Sequence, residues 1–183
     1  MRIEFIPGHE NVERFPLERR LHPQVNTLRE MCPDPHEVRC LAEAFQLPEP
    51  VWDIQANADK ETNAKIATEM TGLGTEERKT ILARWLIQSL RTGIDACVQA
   101  GRTAKKADQT LRSLQEARSQ GLVDFRQLQD HACEITKLGA GNMIAAFIAA
   151  QTAIGQAHAI QLALNGHVWS PSLDRDEQSA AQH

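Results

Sequence analysis

Between residues 81 and 98 the apolar side chains Ile81, Leu82, Trp85, Leu86, Leu90, Ile94, Cys97 and Val98 recur at steps of three and four. Only an α-helix gathers such positions on one face, so this stretch must bury a stripe against other elements. The same period is found elsewhere in the chain. Val25, Leu28 and Met31 fit a helix over 23–31, and Val38, Leu41, Ala42 and Phe45 mark a second before Pro48. Ala64, Ile66, Ala67 and Met70 give an inward face to a third, over 58–70. The long stripe defines a helix over 76–100, and Ala107, Leu111, Leu114 and Ala117 a more polar one over 103–119. Phe125, Leu128, Ala132, Ile135 and Leu138 trace another, and an alanine-rich helix fills 142–165. The last is dense in small residues, which lets neighbouring backbones come close and suits a central position.

The punctuation supports these divisions. Asp34 before Pro35 is an N-cap followed by the one helical position where proline loses no hydrogen bond. Gly72 suits the left-handed end of a helix, and Thr75, Glu76 and Glu77 suit the start of the next. Gly101, Gly121 with Asp124, and the run Gly139-Ala140-Gly141-Asn142 mark further expected breaks. Ile3 and Phe5 alternate with polar neighbours and allow one short strand. The expectation is all-α: a single compact bundle of about seven helices. An irregular arm over 1–24 precedes a helical domain over 25–169, and a polar tail covers 170–183.

Composition narrows function mainly by exclusion. Rings make up 4% of the chain and tyrosine is absent, which disfavours a sheet-based core. A net charge of −4 gives no electrostatic case for nucleic acid. No apolar run approaches the length of a bilayer span, because residues 143–164 are interrupted by Gln151, Gly155, Gln156, His158 and Gln161. Four cysteines at 32, 40, 97 and 133, without a CxxC pair and without an apolar leader, read as buried thiols in a reducing cytoplasm.

Two kinds of site are open. Asp130-His131-Ala132-Cys133-Glu134 gathers metal-ligand types, with His158 further along. His131 and Cys133 are roughly 200° apart around a helix, however, so partners from elsewhere would be required. Cys133 with His131 or His158 is the available thiol–imidazole pairing for nucleophilic chemistry. GxSxG and HExxH motifs are absent, as is a phosphate-binding glycine loop, so the chain reads more readily as a non-enzymatic protein without a cofactor. Its partner would then be another protein, or a second copy of itself. Trp169, Lys105, Lys106 and Arg112 are the candidate contacts, since tryptophan concentrates at binding hot spots. Trp52, in its proline-flanked loop, invites either packing or contact.

Two resemblances add expectations. Met70-Thr71-Gly72-Leu73-Gly74-Thr75-Glu76-Glu77 resembles the calcium loop of annexins. That likeness implies carbonyl ligands at Gly72 and Gly74, with Glu116 completing a metal site at a membrane. A longer one covers 82–164. Leu82-Ala83-Arg84-Trp85, Leu114-Gln115-Glu116-Ala117-Arg118 with Gly121, Ala149-Ala150, Gly155 and Ala157-His158 resemble, in order and spacing, a helical immunity-protein family associated with bacterial toxin systems. Where that family has an alanine-rich stretch ending in histidine, this chain has Leu128-Gln129-Asp130-His131-Ala132. The resemblance implies a protein that neutralises a toxin by binding it, with no catalytic residues.

Overall fold

The computed structural model describes residues 22–165, together with the backbone of 4–5 and 167–168. The fold is all-α. Among the described residues five helices follow one another: α1 (Pro23–Met31), α2 (Pro35–Phe45), α3 (Ile54–Glu69), α4 (Thr75–Ser119) and α5 (Phe125–Leu164). The short strand expected near Ile3 is β1 (Glu4–Phe5), paired antiparallel with β2 (His167–Val168). The arm before His22 and the tail 170–183 lie outside the described residues.

Most of the caps that were legible form as expected, but Thr75 is the first residue of α4 and Gly74 O takes its first bond, from Arg78 N–H at 3.0 Å. Asp34 Oδ1 accepts hydrogen bonds from the backbone N–H of His36 (2.8 Å) and Glu37 (3.1 Å), with Pro35 opening α2. Gly72 lies in the left-handed region at φ 81° and Gly121 at φ 76°. At the end of α4 the N–H of Leu122 reaches Ala117 O and that of Gly121 reaches Arg118 O, the paired bonds of a left-handed helix end. Asp124 then exchanges bonds with Gln127 in both directions, a reciprocal capping arrangement that starts α5.

The expected count of about seven helices is corrected to five among the described residues. Gly101 does not end α4, and Gly139-Ala140-Gly141-Asn142 does not interrupt α5. A glycine inside a helix costs about 1 kcal/mol relative to alanine. It still supports the ladder, because only proline removes an N–H. Continuing a helix also avoids the cost of nucleating another. Thr103, which could have capped a new helix, donates its hydroxyl back to Gln99 O instead.

By its contacts the chain divides into two compact units. The first comprises 1–27, 53–91 and 152–183; the second comprises 28–52 and 92–151. In the first, Val25, Ile66, Met70, Leu82, Leu86, Leu90, Ile154 and Ile160 are buried. Burying each such side chain stabilises the fold by about 1.5–3 kcal/mol. In the second, Leu28, Val38, Ala42, Cys97, Ile144, Phe147 and Ala150 are buried. From residue 98 to 139 no position is buried. Thr103, Ala107, Leu111, Leu114 and Ala117 on α4, and Leu128, Ala132, Ile135 and Gly139 on α5, are half-buried at helical spacing. This part of the second unit is one layer deep.

The inward face expected of α3 is corrected in part. Ile66 and Met70 are buried as expected, but Ala64 and Ala67 are exposed, and Ala58, Thr62 and Asn63 are buried instead. An alanine methyl gives little drive for burial, and the polar contacts described next hold the other face inward. The alanine-rich segment of α5 is heavily buried, as its composition implied. Helix α5 is nonetheless long and apolar enough to cross a membrane by length and composition, contrary to the sequence expectation; 56% of its most apolar window is buried within the fold.

Candidate functional site

The most organised polar group lies in the first unit, where α5 meets α3. Gly155 makes this contact possible. A Cβ there would stand 2.2 Å from Gln55 O, 3.1 Å from Ala58 Cβ and 3.1 Å from the Asp59 nitrogen. One turn away, His158 Nδ1 lies 2.7 Å from Asp59 Oδ2, and Asn63 Nδ2 donates to Asp59 Oδ1 at 2.7 Å. The Asp59 side chain is 14% exposed and that of His158 is 28% exposed, while Asn63 is buried. A carboxylate satisfied on both oxygens fixes the imidazole: Nδ1 carries the proton and donates, leaving Nε2 as the acceptor of the neutral ring. Among the described residues Nε2 has no hydrogen-bond partner. The arrangement orients an imidazole as an acid–base catalyst would require, but among the described residues no nucleophilic side chain is bonded to it. It equally satisfies polar groups inside a helix–helix contact, as buried polar groups require.

His158 was legible as a candidate; Asp59 and Asn63 were not. The only sequence signal for them is that both fall on the face of α3 shared with Ala58, Thr62 and Ile66, at the i, i+4 spacing. The His158 partner of Asp59 lies 99 residues away in sequence, beyond the reach of local periodicity.

The other thiol and imidazole candidates do not join this group. His131 and Cys133 belong to the second unit and are exposed. His131 Nδ1 is bonded to Gln127 O of its own helix at 2.8 Å. His158 belongs to the first unit, so neither His131 nor Cys133 shares a unit with it. The annexin-like set is divided in the same way: Gly72 and Gly74 precede α4 in the first unit, and Glu116 belongs to the second. Among the described residues, no group of three or more His, Cys, Asp or Glu is placed to hold a metal ion.

All four cysteines lie in the second unit and are free. The expectation of buried thiols holds for Cys97 and partly for Cys32, but Cys40 and Cys133 are exposed. Burial pushes the Cys32 thiol up, against a hydrogen bond from Gln151 that pulls it down. Burial and then the charge of Cys32 push Cys97 up. Both inner thiols therefore stay protonated and unreactive where an ordinary thiol would begin to ionise.

Three of the four contact candidates belong to the second unit. Lys105, Lys106 and Arg112 are exposed on α4, Arg112 paired with Asp108 at 3.0 Å. Trp169 lies outside the described residues. Trp52 is partly exposed and firmly held: its Nε1 donates to Glu49 at 2.8 Å, Arg39 sits 4.6 Å over its ring, and the Phe147 ring is 5.8 Å away. The same unit leaves large apolar side chains in water. Leu122 is 73% exposed, Leu138 64% and Phe125 61%, and Val51 and Ile148 are exposed too. Arg118 covers one side of Phe125, with its guanidinium 4.9 Å from the ring. Sequence reasoning placed Phe125 and Leu138 on an inward face; both point outward. Leu122 follows a helix-ending glycine, and a lone apolar residue there gives no signal of its own. Comparison with known family models, curated proteins and solved structures returned no match.

Proposed function

We propose that this chain is a non-enzymatic helical binding protein that acts through protein–protein contacts, with its second unit as the contact surface. One observation carries the reading. Of the seven large apolar residues exposed among the described residues, six lie in the second unit: Val51, Trp52, Leu122, Phe125, Leu138 and Ile148. Scattered exposed apolar residues are ordinary on a folded protein, but their concentration in one unit supports reading that unit as the interaction region. Lys105, Lys106 and Arg112 would supply polar contacts at its margin. The resemblance over 82–164 suggests a toxin as the partner and neutralisation by binding as the role; a second copy of the chain is the other form this reading takes.

Native mass spectrometry of the protein isolated gently from its source tests it. The expected result is a stoichiometric protein partner, or a dimer, that disappears in the Leu122→Ser/Phe125→Ser and Leu138→Ser/Ile148→Ser variants. A bare monomer, or variants that keep the partner, would overturn the reading.

A further inference from the structure

We draw no further inference here: the strongest candidate, the apolar tip formed by Leu122 and Phe125 at the turn between α4 and α5, carries nothing because nothing in the structure shows what covers it.

Discussion

The two units put the same helix to different uses. In the first unit, α5 is pressed against α3, with Gly155 at the closest approach and Asp59, Asn63 and His158 satisfied around it. In the second unit, α5 carries Gly139 and Gly141, where an added Cβ would meet nothing within 4 Å, and exposes Phe125, Leu138 and Ile148. A glycine therefore means close packing at one end of a helix and open space at the other. The first unit commits its surface to internal fit, whereas the second leaves apolar surface uncovered. Breaking each feature separately shows whether the contrast is real.

The largest effect is expected at Gly155. The Gln55 carbonyl that a methyl would meet is backbone and cannot swing aside. Gly155→Ala should therefore destabilise the protein by about 3 kcal/mol, the upper range for overpacking, read as a lower midpoint in urea. An unchanged midpoint would mean that α3 and α5 are not in close contact.

Next comes the polar group beside it. Replacing His158 with Leu leaves Asp59 without one of its two partners in a mostly enclosed position. A loss of about 1–2 kcal/mol is expected, within the range for leaving a buried polar group unsatisfied. Asp59→Asn and the double variant complete a double-mutant cycle, whose coupling energy reports the pair itself. A coupling indistinguishable from zero would show that the 2.7 Å contact does not hold the helices together.

Helices and their capped ends were legible because their signals are local. Asp34-Pro35, Gly72 and Asp124 each act on backbone groups within a few residues, and each does what the sequence implies. The misread glycines show the limit of that logic. Gly101, Gly139 and Gly141 have the same identity as Gly72 and Gly121, but the chain continues through them in helical conformation. A helix end needs its following turn and cap to be more favourable than one more helical residue, and residue type alone does not weigh these. The candidate site was less legible still. His158 drew notice by its type, but Asp59, Asn63 and the outward turn of Leu138 depend on which helix packs where. That is settled by contacts between residues far apart in sequence.

The open glycines give the converse of the Gly155 experiment. Gly139→Ala and Gly141→Ala meet no neighbour and have ordinary helical backbone. Each should stabilise the protein by about 0.5–1 kcal/mol through helix propensity. Destabilisation at either would show that the second unit is packed there as tightly as the first, which would remove the contrast.

The smallest effect on stability, and the one most telling for function, is expected at the exposed apolar residues. Leu122→Ser, Phe125→Ser and Leu138→Ser remove side chains that already face water. Each should shift the folding free energy by no more than about 0.5 kcal/mol, as surface substitutions generally do. Ile87 supplies the control. It is exposed to a similar degree, but it belongs to the first unit, so Ile87→Ser should leave both stability and partner binding unchanged. If exposed apolar area alone determined association, Ile87→Ser would weaken binding as much as Leu138→Ser. Loss of binding confined to the second-unit variants, with melting temperatures close to that of the parent, would instead locate the contact in that unit.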